Sequence, residues 1–299
     1  MVARKVKPVT SAAVVIVTHA SPPGVLERAV DSVLRCSPEH SILVVDNGGT
    51  ASRRLAEHGS PMTTRVHVVA TSNRGFGAAA NVGIRRAISD GADAIALLND
   101  DVEVQSGWLE PLLAEFSDDG VGAVQPLLVD ADGTTINSAG VEIDRFGAGT
   151  DRRRGRSVDD ECRQPTDLDV FTGGAVVLRA DFVEAVGGFD ERFFLYYEDV
   201  ELARRGTTAG WRYRLVPSSR VIHLGSATTG ALGDDMARLR ERNRIWWVAM
   251  HGTWRDLGAA VGLAARRVRH RPRRAHALGL LSGVGGAVSR RIARSIRRG

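Results

Sequence analysis

Residues 94–102 read Ala94-Ile95-Ala96-Leu97-Leu98-Asn99-Asp100-Asp101-Val102. Five apolar residues in a row fit a strand buried on both faces, as in a parallel sheet, and are far too few to cross a membrane. The run stops at an Asn and two adjacent carboxylates. A strand end fixes the backbone while the following turn aims short side chains into a crevice, which suits oxygen ligation of a hard divalent cation and its bridging to a diphosphate. One Asp there would read as a turn or helix cap. Two acids and an Asn after a fully apolar strand point to a metal or nucleotide role.

The same grammar extends upstream. Ala13 to Thr18 reads as a first buried strand, Ile42 to Val45 as a second and Val66 to Ala70 as a third. Between the first two, Val25, Leu26, Ala29, Val30, Val33 and Leu34 form a helical stripe behind the breaker Ser21-Pro22-Pro23-Gly24. A further helix is predicted over Gly77 to Ile88. The second and third strands end, like the fourth, in polar clusters: Asp46-Asn47-Gly48-Gly49 and Ser72-Asn73-Arg74-Gly75. Ligands of open α/β sheets sit at the carboxyl ends of the strands, so these clusters should line one crevice.

Downstream, the pattern predicts a helix from Gly107 to Phe116 and a strand from Gly122 to Pro126. Residues 130–165, rich in Gly, Asp and Arg, read as a variable loop or hairpin facing solvent or the acceptor. A strand from Val170 to Leu178, interrupted by Gly173-Gly174, precedes a short helix from Asp181 to Val186. Helices over Glu198 to Ala209 and Asp234 to His251 follow, with strand-like Arg214 to Val216 and Arg220 to His223 between them. Glu198 and Asp199 open their helix after an aromatic run, where free N–H groups favour an ionised carboxylate that can act as a base. First-turn acids also cap helices, and alone that reading would prevail. Gly75-Phe76-Gly77-Ala78-Ala79-Ala80 imitates a dinucleotide fingerprint and keeps a nicotinamide oxidoreductase open as an alternative; otherwise its small residues let a helix pack close to the sheet.

Of the 299 residues, 43% are hydrophobic and 25% charged, which excludes collagen-like, disordered and disulfide-scaffold classes. Cys36 and Cys162 alone offer neither a CxxC metal pair nor a disulfide framework, and the only early apolar run, residues 12–17, is too short for a signal-peptide core. A cytoplasmic protein is expected. Residues 257–299 hold 11 Arg and no acid, whereas residues 1–256 hold 29 basic and 35 acidic groups, a net of −6. An acidic body on a basic tail points to an anionic partner, a lipid surface or nucleic acid. On a helix through 278–298, Leu278, Leu281, Val284, Val288, Ile292 and Ile296 share one face, and Arg290, Arg291, Arg294, Arg297 and Arg298 the other. That arrangement suits an anionic membrane surface. No aromatic residue follows Trp254, so stacking platforms for nucleic acid are lacking and no nucleic-acid partner is expected. Gly279, Gly283, Gly285 and Gly286 weaken such a helix in water, so ordering is expected only on lipid.

Taken in order, Val14-Val15-Ile16-Val17-Thr18-His19, Val44-Val45-Asp46-Asn47, Asn73-Arg74-Gly75-Phe76-Gly77 with Asn81, Leu98-Asn99-Asp100-Asp101-Val102, Thr172-Gly173-Gly174-Ala175, Gly187-Gly188-Phe189-Asp190-Glu191 and Tyr197-Glu198-Asp199-Val200-Glu201-Leu202 resemble the motifs of family 2 inverting glycosyltransferases. The resemblance covers residues 13 to about 255 and is greatest for the bacterial rhamnosyltransferase-like branch, which acts on cell-wall or surface polysaccharide intermediates. It implies an α/β GT-A fold with a mostly parallel central sheet flanked by helices. A tail at 1–12 would precede a domain at 13–256, with a nucleotide-binding half near 13–126 and an acceptor-binding half near 166–256. A basic helical extension at 257–299 would lie on the inner face of the cell membrane.

Position by position, the resemblance implies that Asp46 reads the nucleotide base and that Thr18, His19, Asn73 and Arg74 help hold the nucleotide. Asp100 or Asp101 would meet the ribose and the metal-bound diphosphate, with Mg²⁺ or Mn²⁺ as cofactor. Asp199 matches the general base, and Gly173, Gly174, Glu198 and Trp211 fall on the acceptor side. His223 stands where related enzymes carry a late His near the metal, and a lone His after a strand is as often structural. His19 stands where the family often has Tyr, and Asp100 where this branch often has Pro. The implied donor is dTDP-L-rhamnose, with UDP-galactofuranose, UDP-GlcNAc or UDP-galactose behind it, and the implied acceptor is lipid-linked or a glycan.

Overall fold

The computed structural model describes residues 6–58, 65–160, 163–225, 233–270 and 272–296. Its elements fall into two compact units, residues 1–141, 151–194 and 198–228 in the first and 142–150, 195–197 and 229–299 in the second. The first begins β1 (Ala12–Thr18), α1 (Val25–Cys36), β2 (Ile42–Asp46), α2 (Ala51–Glu57), β3 (Val66–Ala70), α3 (Phe76–Ser89), β4 (Ala94–Asn99). It continues β5 (Val102–Val104), α4 (Glu110–Ala114), β6 (Val121–Val129), β7 (Ile136–Ser138), β10 (Thr166–Leu168), β11 (Ala175–Arg179), α5 (Ala180–Val186), α6 (Glu198–Thr208) and β12 (Arg212–His223), while β8 (Val141–Ile143) and β9 (Gly149–Asp151) fall mostly in the second unit. The main sheet runs β10-β12-β6-β11-β4-β1-β2-β3, with β5 on β12 and β7 on β6, while β8 and β9 pair separately.

Strands β3, β2, β1 and β4 are mutually parallel, as the unbroken apolar runs require. β11 enters antiparallel between β4 and β6, and β12 lies parallel to β6, so the sheet is mixed beyond its nucleotide-side half. Val14, Ile16, Val44, Ala96 and Leu98 are fully or almost fully buried, with Leu26, Val30 and Val33 of the α1 stripe packed in the same core. On α3, a Cβ at Gly83 would fall 2.4 Å from Val15 Cγ1, so that glycine lets the helix lie tight on β1.

The differences from expectation have local causes. The helix expected over 107–116 starts only at Glu110, with Pro111 in its first turn, and is a short α-helix followed by a 3-10 turn. β11 starts only at Ala175, since Gly173 and Gly174 leave the sheet and cross the end of β4. The two segments expected before residue 223 are one strand, β12, with a register shift between Val216 and Arg220 that absorbs Pro217. In the stretch 130–165, expected as a loop or hairpin, β8 and β9 pair as a two-stranded hairpin, and β7 adds to the main sheet.

The second unit holds α7 (Gly233–His251), α8 (Trp254–Arg267) and α9 (Arg273–Ile296). In this unit the basic segment clusters with α7. α9, expected to order on lipid, is a helix in this structure and packs along α7. A Cβ at Gly279 would stand 2.8 Å from the Arg238 carbonyl oxygen, and one at Gly283 2.8 Å from Ile245 Cδ1, so these glycines are the seam along which α9 closes on α7. Ala275 and Ala287 are buried, whereas Leu278, Leu281 and Val284 are exposed. The side chains of Val288, Ile292, Arg294 and Ile296, and Arg297 and Arg298 altogether, lie outside the described residues. Within this unit Glu241 ion-pairs with buried Arg244 and, at 2.9 Å, with Arg267; Arg244 also donates to the Ala260 carbonyl at 2.9 Å.

Candidate active site

Thr18 and Asp46 are register partners on β1 and β2, and Asn99 partners Val17, so three strand ends converge on one edge. Thr18 Oγ1 donates to Asp100 Oδ2 at 2.5 Å. Burial pushes the Asp100 carboxyl up and the charge of Asp101 adds to it, against the Thr18 hydroxyl. Asp46 Oδ1 accepts from the Gly48 and Gly49 amides at 2.9 and 2.7 Å, and Oδ2 from Ala51 at 2.5 Å, so the carboxylate holds the loop that starts α2. His19 Nδ1 contacts the Asn47 carbonyl at 3.1 Å and Nε2 the Asn73 side chain at 3.3 Å, tying the second cluster to the third. Arg74 is largely exposed at the rim and pairs with Glu191 at 2.7 Å.

One step further along the edge, Asp101 and His223 meet. Leu224 N–H donates to the Asp101 carbonyl at 2.9 Å, which closes the turn after β4 onto the end of β12. Asp101 Oδ1 is buried without a hydrogen-bond partner among the described residues and lies 3.3 Å from His223 Nε2. The carboxylate oxygen suits Mg²⁺ or Mn²⁺, and an unsatisfied buried carboxylate oxygen facing a ring nitrogen fits Mn²⁺ better than the oxygen-preferring Mg²⁺. Among the described residues no three His, Cys, Asp or Glu side chains converge to hold a metal by themselves.

The carboxylate pair at the start of α6 reaches this edge through the loop ahead of β11. Gly173 N–H donates to Asp199 Oδ2 at 2.9 Å, Val200 N–H to Oδ1 at 2.8 Å, and the Gly174 carbonyl accepts from Asn99 N–H at 2.9 Å. Burial pushes both Asp199 and Glu198 up, Glu198 to about 8. Two N–H donors stabilise Asp199 as an anion, whereas Glu198 Oε2 is buried without a hydrogen bond among the described residues. The shared proton therefore belongs on Glu198 and the charge on Asp199.

Residues 13–187 match the model of "Glycosyl transferase family 2". The chain belongs to glycosyltransferase family 2. It is 30% identical over 267 residues to the N-acetylglucosaminyl-diphospho-decaprenol L-rhamnosyltransferase of Mycobacterium tuberculosis, covering 81% of this chain and 85% of that protein. Among solved structures, GalNAc-T7 with UDP, GalNAc and Mn²⁺ superposes with a TM-score of 0.60 at 21% identity, over 79% of this chain and 48% of that one. The mannosyltransferase PcManGT of Pyrobaculum calidifontis, with GDP-Man and Mn²⁺, gives 0.53 at 13% identity over 95% and 89%. The fold is thus GT-A.

In this family 2 chain, Thr18, His19, Asp46, Asn73, Asp100, Asp101, His223, Gly173, Gly174, Glu198 and Asp199 form one connected edge, and Arg74 stands at its rim. Trp211 is a correction. It is 2% exposed, precedes the end of β12 opposite His223 and packs edge-on against Phe182 at 5.6 Å, so it serves the core rather than an acceptor. The dinucleotide reading also falls: a Cβ at Gly75 (φ +96°) would stand 2.1 Å from the Phe194 carbonyl oxygen, so chain, not a pyrophosphate, fills that space. Sequence reasoning missed Asn137, which contacts His223, and Asp130, which accepts from Asn137. Their signal was the Asp132-Gly133 turn ahead of Ile136.

Proposed function

We propose that this glycosyltransferase moves L-rhamnose from dTDP-L-rhamnose to a polyprenyl-diphosphate-linked acceptor, with inversion at the anomeric carbon. The supporting observation is Asp199, held ionised by two N–H donors beside Glu198 and tied through Gly173-Gly174 to the strand end that carries Asp101. Asp199 accepts the proton of the acceptor hydroxyl as its oxygen attacks the anomeric carbon; the bond to the diphosphate breaks and the electron pair leaves with the diphosphate. Asp101 and His223 would hold Mg²⁺ or Mn²⁺, whose chemistry is to neutralise charge on the departing diphosphate. Thr18, Asp46 and Asn73 line the nucleotide side. The choice of sugar and acceptor class follows the mycobacterial relative's printed activity.

Asp199→Asn should leave dTDP binding within a few-fold of wild type and lower turnover by about 10²-fold or more. Wild-type turnover in that variant removes Asp199 from the base role. Release of dTDP rather than UDP across a donor screen checks the sugar nucleotide, with the UDP sugars as the competing outcome. Among the described residues no helix is long and apolar enough to cross a membrane. A lipid-linked acceptor would instead be met at the membrane's inner surface, for which the exposed Leu278, Leu281 and Val284 of α9 are the contact we propose.

A further inference from the structure

Beside the candidate cation ligands runs a chain of polar groups with fixed donor and acceptor roles. Asp130 Oδ1 lies 2.6 Å from Asn137 Nδ2, and Asn137 Oδ1 lies 3.0 Å from His223 Nδ1. An ionised carboxylate only accepts, so the Asn137 group that faces Asp130 is its NH₂ and the group that faces His223 is its carbonyl oxygen. That oxygen also only accepts, so the ring proton of a neutral His223 sits on Nδ1. Nε2 is left with its lone pair toward Asp101 Oδ1 across 3.3 Å, and that oxygen has no hydrogen bond among the described residues. Two electron-rich atoms facing each other at that distance call for a positive charge between them, either a second ring proton that makes His223 an imidazolium paired with Asp101 or a bound cation.

The sheet holds this chain in place. Val129 pairs with Ile136 on β7 and with Ile222 on β12; Asp130 and His223 stand one residue beyond that row, and Asn137, on the antiparallel β7, stands one residue back from it at the register shift opposite Leu128 and Val129. Asp130 is pinned by its own turn, its N–H donating to the Thr135 carbonyl at 2.8 Å and its carbonyl accepting from Gly133 at 2.9 Å. Asn137 is 5% exposed, so little water competes for its amide.

We propose that Asn137, oriented by Asp130, is a positioning residue that fixes the His223 ring with Nε2 bare and turned toward Asp101, presenting a ready pair of ligands to a divalent cation. The proposal rests on the reading of Asp101 and His223 as the cation site. Outer partners that fix a ligand histidine's ring typically change metal affinity 10–100-fold when removed.

The experiment uses the full chain, dTDP and Mn²⁺ as the probe. In wild type, nitrogen-15 spectra of the His223 ring should show the Nδ1–H form, and Mn²⁺ titrated in the presence of dTDP and followed by electron paramagnetic resonance should bind. Asn137→Ala should weaken Mn²⁺ binding about 10-fold or more and mix the two ring forms, with its melting temperature recorded alongside. Asp130→Asn keeps the shape but lets the Asn137 amide turn either way, and should give a smaller loss with the same spectral change. If both variants bind Mn²⁺ like wild type while His223→Ala does not, the positioning role is overturned and the cation site stands. If wild type binds no Mn²⁺ with dTDP present, both are overturned.

Discussion

Glu198 Oε2 is buried with no hydrogen bond among the described residues, and burial together with the charge of Asp199 pushes its carboxyl up to about 8. An acid whose folded value lies above its unfolded one keeps its proton in the folded state while the unfolded chain has lost it. The contribution of Glu198 to stability is therefore full below about 4.5 and is lost as pH rises toward about 8. Glu198→Gln removes that dependence. Its melting temperature should match wild type near pH 5 and exceed it near pH 8.5; a difference that stays constant with pH would show that Glu198 is not where the proton resides. Gly75 poses a steric question at the same scale. Its φ of +96° and the Phe194 carbonyl 2.1 Å from a would-be Cβ mean that Gly75→Ala must move the backbone that leads to Glu198. A loss of about 1–3 kcal/mol is expected in urea unfolding, the range for strained backbone positions.

Between elements, the glycines of α9 separate helix propensity from packing. Gly285 has nothing within 4 Å of a would-be Cβ, so Gly285→Ala should stabilise by about 0.5–1 kcal/mol. Gly279 meets the Arg238 carbonyl and Glu241 Cβ at 2.8 Å, so Gly279→Ala should destabilise even though alanine is the better helix former. Equal shifts of the two variants in thermal unfolding would mean that α9 does not close on α7. From sequence all four glycines read alike, because a glycine's cost in a lone helix is local whereas its value in a seam depends on a partner 40 residues away. Strand ends were legible for the opposite reason: Asp46, Asn73, Asp100 and Asp101 each follow an apolar run whose own length fixes the edge. His223 was visible as a late His, but its setting depends on Asn137 and Asp130, which lie in a stretch without periodicity. Trp211 was placed on the acceptor side by resemblance alone, and its burial against Phe182 puts it in the core.

Over the whole molecule, charge and exposed apolar surface coincide in the second unit. Residues 257–299 carry 11 Arg and no acid against a net of −6 in the rest, and Arg266, Arg269, Arg273 and Arg274 are exposed near Leu278, Leu281 and Val284 in sequence. Each arginine near an anionic bilayer contributes on the order of 1 kcal/mol, and each leucine moved fully from water about 1.5–3 kcal/mol. The charge contribution is screened over about 10 Å at 0.1 M salt, whereas the apolar one is not. The full chain should therefore sediment with phosphatidylglycerol vesicles at low salt, less at 0.5 M salt, and not with phosphatidylcholine alone. Serine at positions 278, 281 and 284 together should lower vesicle binding while leaving dTDP affinity unchanged and lowering the melting temperature only modestly, because these side chains are 54%, 69% and 42% exposed. If the triple variant sediments like wild type, the arginines alone hold the lipid; if the full chain stays in solution with anionic vesicles, the acceptor reaches Asp199 by another route.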